Sequence, residues 1–194
     1  MSVSFQYNKT SLQHLEKNLK MRIGFLPTIK SKENALRAEV KEAKDELKKI
    51  NHRLDEKMKE VESDWELWAE FDTSLVSIED VHLTSRKIAG VRVPMLEDIS
   101  FSVKEFSVFE APKWYLAGIE WLKDLAKIAI ESNFYQQKID LLEHARKKTT
   151  QKVNLFEKVQ IPGYEDAILK IKRFLEDEEN LSKSSQKIVK RRQE

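Results

Sequence analysis

Apolar residues recur at alternating spacings of three and four along the first third of the chain. The stripe comprises Leu12, Leu15, Leu19, Arg22, Leu26, Ile29, Glu33, Leu36, Val40, Ala43, Leu47, Ile50, Leu54, Lys57, Val61, Asp64 and Trp68. Most of these positions are apolar, and the residues between them are mostly Lys and Glu. A mean spacing of about 3.5 residues keeps one narrow seam facing a partner helix, as in a left-handed coiled coil. The pattern predicts a helix from about Lys9 to Phe71, roughly 90 Å long at about 1.5 Å per residue.

Two local features belong to this first helix. The segment from Thr10 to Gln13 reads as a capping box, in which the Thr10 hydroxyl accepts from an orphan amide and Gln13 reaches back. Pro27 lies inside the helical pattern, where it removes one backbone hydrogen bond. A proline at such a position is expected to kink the helix.

The spacing of apolar residues changes between Thr73 and Ala111. They recur there at every second position, namely Val91, Val93 and Met95, followed by Ile99, Phe101 and Val103. Because Ala89-Gly90 interrupts the stretch, we predict a β-hairpin or a small β-rich knob. Pro94 cannot donate to a strand ladder, which limits its strand to an edge or a bulge.

A second helix is expected to begin at Ala111-Pro112, because proline is tolerated in a first helical turn. Its stripe comprises Trp121, Leu125, Ile128, Tyr135, Ile139, Leu142, Val153 and Phe156. After Phe156 the phase shifts, and the stripe continues with Ile161, Tyr164, Ile168, Ile171 and Leu175. The segment Ile161-Pro162-Gly163 lies at this shift, which we interpret as a stutter in the coiled coil.

Together these elements predict a mainly α fold. The N- and C-terminal helices would form a long antiparallel two-helix coiled coil, with a small β-hairpin knob between them. The expected divisions are residues 1–72, 73–111 and 112–194. If Phe71 faces Pro112, the numbers of facing residues sum to about 183, as 71 and 112 do. The first helix would then begin opposite about Arg173, and the second helix would project unpaired beyond that point.

Charge and composition narrow the function classes. Charged residues make up 35% of the chain, and 35 Lys and Arg nearly balance 33 Asp and Glu. Both signs are dispersed along the helices, whereas a nucleic-acid surface needs a stripe of one sign, so no nucleic-acid partner is predicted. The chain has no cysteine, which excludes disulfides and thiolate metal sites. We expect no secretory signal and no direct membrane insertion.

Candidate residues for catalysis are few. The four glycines are scattered, which argues against a phosphate-binding loop. The four histidines lack metal-ligand spacing, and the acidic run Glu176–Glu179 would point in several directions on a helix. We therefore expect no catalytic residue, no metal, no cofactor and no enzymatic activity of the chain alone.

Two further groups of residues leave alternatives open. The basic tail, consisting of Lys187, Lys190, Arg191 and Arg192, either contacts phosphate or an acidic protein wall, or is a frayed terminus. The aromatic residues around the knob are Trp65, Trp68, Phe71, Phe101, Phe106, Phe109, Trp114, Tyr115 and Trp121. They form either a small core or, in part, an exposed docking surface, because so small a region cannot easily bury every ring.

Three segments carry recognisable motifs, and the first of them, residues 152–165, reads KVNLFEKVQIPGYE. It resembles the motif (R/K)VNALExVxIPxLE in the D subunit of V-type and archaeal-type rotary ATPases, with Leu155-Phe156 in place of the usual Ala-Leu. Residues 88–94 read IAGVRVP and resemble its hairpin segment (N)xxGVxxP. Asn8-Lys9-Thr10, followed by the leucine spacing, is similar to its N-terminal helix, although Pro27 stands where many members have an unbroken helix.

The resemblance implies a noncatalytic central stalk subunit that transmits torque between ATP turnover and ion translocation. The implied partners are the catalytic A and B subunits, the small F subunit and the funnel-shaped subunit above the membrane rotor ring. Such a subunit would be cytoplasmic and peripheral to the membrane. The candidate partner-contacting residues are Arg86, Ile88, Val91, Arg92 and Val93 near the hairpin turn, and Lys187, Lys190, Arg191 and Arg192 in the tail.

A prefoldin-like chaperone subunit is the alternative, since it also has two helices joined by β-hairpins. Prefoldin chains are usually shorter, and they lack the motif of residues 152–165. A helical arm that binds RNA is a third interpretation, and it needs a basic stripe that the sequence does not contain.

Overall fold

The computed structural model describes residues 3–62, 68, 70–106 and 112–193. Its elements are helix α1 (Lys9–Glu62), strands β1 (Val76–Ile88) and β2 (Val91–Val103), and helices α2 (Tyr115–Leu155) and α3 (Ile161–Gln193). A 3₁₀ turn at Thr73–Leu75 precedes β1, and a π-helical turn at Phe156–Gln160 joins α2 to α3. The prediction of a mainly helical fold with a hairpin between two long helices is confirmed. Four residues named in the sequence predictions, Asp64, Trp65, Phe109 and Ala111, lie outside the described residues.

The chain packs as two compact units. The first comprises residues 1–34 and 147–194, and the second comprises residues 35–146. In the first unit, the start of α1 pairs with the end of α2 and with α3. In the second unit, the rest of α1 pairs with α2, and the hairpin packs on both helices.

The N-cap of α1 is Asn8 rather than Thr10. Ser11 donates its backbone N–H to Asn8 Oδ1 over 2.7 Å, and the Ser11 hydroxyl accepts from the Gln6 N–H over 3.3 Å. Since the cap accepts from the third residue of the helix, the capping box predicted at Thr10 and Gln13 is wrong. Asn8 and Ser11 instead fix the start of the helix at Lys9.

An apolar core joins the start of α1 to α3 in the first unit. The buried residues are Leu15, Ala167, Ile168 and Ile171, and Leu12, Leu19, Tyr164 and Leu175 are partly buried around them. These are positions of the two predicted stripes, apart from Ala167. The predicted seam therefore lies in this core.

The N-terminal segment before α1 packs on the same core. Val3 and Phe5 lie against the buried cluster, and the ring centroids of Tyr7 and Phe174 are 4.8 Å apart. A Cβ atom on Gly163 would stand 3.4 Å from Val3 Cγ2, so Val3 lies directly against α3. The segment ahead of the first helix is thus part of the packed structure.

Two polar residues of the predicted seam have partners in the first unit. Arg22 donates to Gln160 Oε1 over 2.8 Å, and its guanidinium carbon lies 4.5 Å from the centre of the Tyr164 ring. Glu33 is only 8% exposed and accepts from the Thr150 hydroxyl over 3.2 Å. The residue numbers of this last pair sum to 183, as 33 and 150 do, which agrees with the predicted alignment. Polar seam residues favour one alignment, because any other leaves them without partners.

The predicted phase shift is a π-helical turn at Phe156–Gln160. The Ile161 N–H donates to the Phe156 carbonyl, five residues back, instead of the usual four. Pro162 follows at once and has no N–H to donate. The wider turn inserts one residue into the spacing and moves the seam from Phe156 to Ile161 without ending the helix.

Pro27 lies inside α1, which continues through it as one helix. The residues on either side of Pro27 reach the π-helical turn, since Arg22 bonds to Gln160 and Lys30 pairs with Glu157 over 2.7 Å. The two proline-associated segments thus face each other in the first unit, as the predicted alignment requires.

In the second unit, the tip of the hairpin packs on the paired helices. One buried cluster contains Leu36, Val40 and Ala43 of α1, Ile139 and Leu142 of α2, and Val93 of β2. On the flank of the helix pair, Lys44 pairs with Glu143 over 2.6 Å, and Arg53 pairs with Glu131 over 3.0 Å. The hairpin is therefore a component of this core as well as a connection between helices.

The aromatic residues near the hairpin base form a core of their own. Phe71 is 6% exposed, and its ring centroid lies 5.1–5.6 Å from those of Trp68, Trp114 and Tyr115. Gly118 of α2 lies against this cluster, because a Cβ atom there would come within 2.9 Å of Phe71 Cε2. For the described rings, these contacts favour the core interpretation over the docking surface.

The strands pair antiparallel from Val76 opposite Val103 to Ile88 opposite Val91. Ala89 and Gly90 form the turn between them with φ of 48° and 89°. Positive φ at both residues is the signature of a type I′ turn, which the right-handed twist of hairpins favours. Pro94 is accommodated as predicted, because both strands of a two-stranded sheet are edges.

Candidate partner interface

The apolar residues predicted to contact partners at the hairpin tip lie in the chain's own core. Val93 is fully buried between α1 and α2, and Ile88 and Val91 are partly buried beside it. Side chains alternate along a strand, so Arg92 points away from the face that buries Val93. Arg86 and Arg92 are both exposed. Of the five predicted tip residues, these two arginines offer the accessible side chains in this conformation.

The strand register adds a third cation to this end of the hairpin. Lys87 lies directly opposite Arg92 and is also exposed. Arg86 lies opposite Val93, so it shares the inward face of the sheet. Within the described part of the chain, none of these three cations forms an ion pair. Among the described residues, the outward face of the turn end therefore carries the positive charges of Lys87 and Arg92 without a paired carboxylate.

An open groove of about 390 Å³ lies beside the packed hairpin tip and is lined by both strands and both helices. Its charged lining residues are Glu39, Glu42 and Glu46 of α1, with Arg86 and Lys138 across the groove. Burial, followed by the Glu46, Glu131 and Glu42 carboxylates, raises the pKa of the neighbouring Tyr135. Because the groove has carboxylates on α1 and cations on the other elements, its charges are largely balanced within the chain.

The basic tail lies on the exposed last part of α3. Every described residue from Glu176 to Gln193 is exposed, including the four cations of the predicted tail, Lys187, Lys190, Arg191 and Arg192. Large apolar side chains are exposed there too, with Leu181 at 69%. Within the described residues, the four tail cations form no ion pair. The tail belongs to the first unit and the hairpin residues belong to the second.

The histidines and carboxylates considered for other chemistry are surface groups. His14, His52 and His82 contact Asn18, Glu56 and Asp80, respectively. In the acidic run of α3, Lys183 donates a hydrogen bond to Glu179 over 2.6 Å and thereby lowers the pKa of that carboxyl group.

Among the described residues, no helix has an apolar stretch long enough to cross a bilayer.

The fold defines a class of protein before any comparison is made: a two-helix coiled coil interrupted by a β-hairpin. The family model for the D subunit of ATP synthase matches residues 11–191. The chain therefore belongs to the family of ATP synthase D subunits. This membership takes precedence over the prefoldin-like and RNA-binding interpretations.

The chain is also similar to V-type ATP synthase D subunits of comparable length. The V-type ATP synthase D subunit of Borreliella burgdorferi is 33% identical over 186 residues, which cover 94% of this chain and 91% of the relative. The V-type ATP synthase D subunit of Chlamydia trachomatis serovar L2 is 27% identical over 197 residues, covering 99% and 97%. That of Chlamydia muridarum is 28% identical with the same coverage.

One exposed cation, Lys87, was absent from the sequence predictions. A signal for it was present, because the two-residue turn at Ala89-Gly90 fixes the register of the flanking strands. With Ile88 opposite Val91, Lys87 must lie opposite Arg92.

Proposed function

We propose that this chain is a noncatalytic central stalk subunit of a V-type ATP synthase complex, and that it transmits torque between ATP turnover and ion translocation. Its partners would be the catalytic A and B subunits, the small F subunit and the funnel-shaped subunit above the rotor ring. Family membership supports the complex. The observation that carries the mechanical role is the antiparallel pairing of α1 with α2 and α3, held in one alignment by polar contacts in each unit.

Torque transmission requires that paired helices resist sliding and unwinding. An apolar seam resists separation, but it tolerates small shifts because dispersion contacts are not directional. The Arg22–Gln160 and Glu33–Thr150 hydrogen bonds are directional, so they fix the alignment of the helices in the first unit. Exposed ion pairs such as Lys44–Glu143 add only about 0–1 kcal/mol each, so we assign them to alignment rather than to cohesion.

A stalk must also rotate relative to the subunits around it. A continuous apolar surface that binds those subunits tightly would therefore be unfavourable. The chain carries 35 basic and 33 acidic residues, and its exposed ion pairs are dispersed along the helices. Large apolar surfaces hold partners in fixed positions, whereas mixed charges are hydrated and screened by salt. We place the exposed end of α3 inside the catalytic ring, and the whole chain on the cytoplasmic side as a peripheral part of the complex.

Assembly is the first test of this proposal. The full chain would be mixed with the A and B subunits of its own complex and analysed by gel filtration with light scattering. We expect one copy of the chain to join a ring of A and B subunits. A ring that forms without binding the chain at any ratio would contradict the proposal.

Rotation is tested by reversible cross-linking, which the absence of native cysteines in this chain simplifies. Ser184 is exposed near the end of α3, so Ser184→Cys is paired with a cysteine on the inner wall of the catalytic ring. A disulfide between them is expected to stop ATP hydrolysis, and reduction is expected to restore it. The single Ser184→Cys variant under the same oxidation is the control. Continued hydrolysis with the disulfide formed would exclude a rotating role.

A further inference from the structure

The outward face of the hairpin carries an arrangement that the fold itself does not explain. Lys87 and Arg92 lie directly opposite each other on this face. Like charges at such positions destabilise a sheet, since their side chains stand only about 5 Å apart at the Cβ atoms. Within the described residues, neither cation has a carboxylate partner. The hairpin thus contains an unfavourable pair of like charges that the packing of the chain's core does not require.

An apolar surface adjoins this pair of cations. On the same face and farther from the turn, the next pair is Ser85 opposite Pro94, and it is followed by Leu83 opposite Leu96. Leu83 of β1 is 55% exposed, although Val93 of the paired strand β2 belongs to the buried core. We define the outer hairpin face as Leu83, Lys87, Arg92, Pro94 and Leu96.

Carboxylates lie farther from the turn. Glu97 and Asp98 are near the middle of β2, Glu79 and Asp80 are nearer the base of β1, and all four residues are exposed. The nearest of them along a strand, Glu97, lies five residues from Arg92, or roughly 16 Å at about 3.3 Å per residue. This separation exceeds the screening length of about 8 Å at physiological salt, so these carboxylates do not neutralise the cations. The charge of the hairpin therefore changes sign along its length, with Leu83 between the cations and the carboxylates.

We propose that the outer hairpin face docks an acidic surface of another protein subunit in the complex, with carboxylates opposite Lys87 and Arg92 and an apolar contact on Leu83 and Leu96. The proposal rests on the proposed function, because it takes the partner from within the same assembly. Paired charges across an interface recover what the like-charge pair loses in the free chain. The structure thus redirects partner contact from the inward residues, such as Val93, to the outward ones.

A protein fits this polarised surface better than a lipid bilayer or a nucleic acid. Bilayers with acidic lipids and phosphate backbones present one sign of charge, so they would repel the part of the hairpin that carries Glu79 and Asp80. A protein surface can place acidic groups at one end and basic or neutral groups at the other. The exposed Leu83 beside the cations also suits a partner that excludes water.

Zero-length cross-linking in the reconstituted complex tests the contact directly. A carbodiimide joins an amine to a carboxylate only when the two groups touch, and mass spectrometry identifies the linked residues. We expect Lys87 to be linked to an Asp or Glu of another subunit, and Lys87→Arg to abolish that link while the complex still forms. Links from Lys87 to residues of this chain alone would contradict the proposal.

Charge reversal separates docking from folding. Lys87→Glu places an acid opposite Arg92, so the melting temperature of the isolated chain is expected to stay equal or rise. Its association with the remaining subunits at low salt is expected to weaken roughly tenfold or more, because the new carboxylate faces an acidic surface. The matched control is Lys48→Glu, which makes the same charge change on α1 at a side chain that is 82% exposed. Equal association of Lys87→Glu and wild type would overturn the inference.

The remaining outcomes distinguish this inference from the proposed function. If the wild-type chain joins no complex, the proposed function fails and this inference fails with it. If wild type and Lys87→Glu assemble equally well, only the docking face is refuted. Vesicles of phosphatidylserine and phosphatidylcholine provide the lipid test: sedimentation of the wild-type chain that Lys87→Glu abolishes would replace the protein partner with a bilayer.

Discussion

Gly118 is the residue at which helix propensity and packing oppose each other most clearly. An alanine there would gain helical stability, but its Cβ would stand 2.9 Å from Phe71 Cε2 and 3.1 Å from Trp114 Cζ3. Phe71 has little room to move, because it is itself packed against Trp68 and Tyr115. Overpacking of this kind costs about 1–3 kcal/mol, so we expect Gly118→Ala to lower the free energy of unfolding by urea.

Gly24 provides the matched control for this change. It also lies inside a helix, and a Cβ atom there would meet nothing within 4 Å. We expect Gly24→Ala to stabilise the chain by about 0.5–1 kcal/mol, since alanine restricts the unfolded backbone. If both alanine variants gained stability, the close contact at Gly118 would not be a constraint.

The seam offers a second comparison at the residue scale. Leu142 is fully buried, whereas Leu47 is only partly buried beside the same cluster. We expect Leu142→Ala to cost about 2–5 kcal/mol in the free energy of unfolding, as fully buried leucines do, and Leu47→Ala to cost clearly less. Equal losses on chemical denaturation would show that burial does not rank these seam positions.

The π-helical turn is the element whose length matters most. It accounts for one extra residue in the seam spacing, and Pro162, which has no N–H to donate, directly follows it. In a Pro162→Ala background, deletion of the exposed Lys158 is therefore expected to give a continuous α-helix with the same residues facing the core. Thermal melting should then change little relative to Pro162→Ala alone.

Deletion of Lys148 in the same background is the control. It removes an exposed residue from the regular helix α2, where no extra residue is present. Every core residue between it and the π-helical turn would then rotate by about 100° relative to those before it. We expect a large drop in melting temperature. Comparable losses from both deletions would mean that the π-helical turn does not absorb the phase shift.

The hairpin tip is an element with both a structural and an exposed side. Val93→Asp would place a charge in the core between the helices, which is unfavourable without a partner. We therefore expect the tip to leave the helices. Hydrogen exchange should show lost protection in β1 and β2, while helical circular dichroism is largely retained. Leu83→Asp, on the exposed face of β1, is the control and should leave hairpin protection close to that of wild type.

Sequence alone predicted the elements that depend on local spacing. The helices follow from the spacing of three and four, and the turn follows from Ala89-Gly90. The phase shift after Phe156, a stutter in the sequence pattern, lies at the π-helical turn. The docking of Val93 was not predictable in this way, because it depends on which helix positions lie beside the hairpin. The packing of the N-terminal segment through Tyr7 was not predictable either, since the segment has no periodicity and contacts α3.

For the candidate interface, the sequence identified charge but not orientation. It selected Arg86 and Arg92, which are exposed, together with Val93, which is buried. Alternation along the strand separates inward from outward residues only when the buried face is known. The structure shows that the buried face is the one that carries Val93.

At the scale of the whole chain, paired and unpaired parts of the helices are distinct. Leu175 is the last residue of α3 that packs on the first unit's core, and the helix continues to Gln193 with exposed side chains. A single helix of this composition gains little from packing, so its own stability in water is marginal. The contacts of this last part of α3 are local ones, such as the Glu179–Lys183 pair.

Truncation after Lys183 tests whether this last segment serves folding or assembly. It removes Ile188 and Val189, which are 55% and 54% exposed, and the basic tail Lys187–Arg192. Because these side chains make no contact with the buried cores, the free energy of unfolding should change by less than about 0.5 kcal/mol. Association with the catalytic subunits, or the coupling of hydrolysis to rotation, should weaken. Hydrogen exchange on the isolated chain would reveal the opposite outcome. Strong amide protection from Ser182 to Lys190 would mean that this end is already packed without a partner.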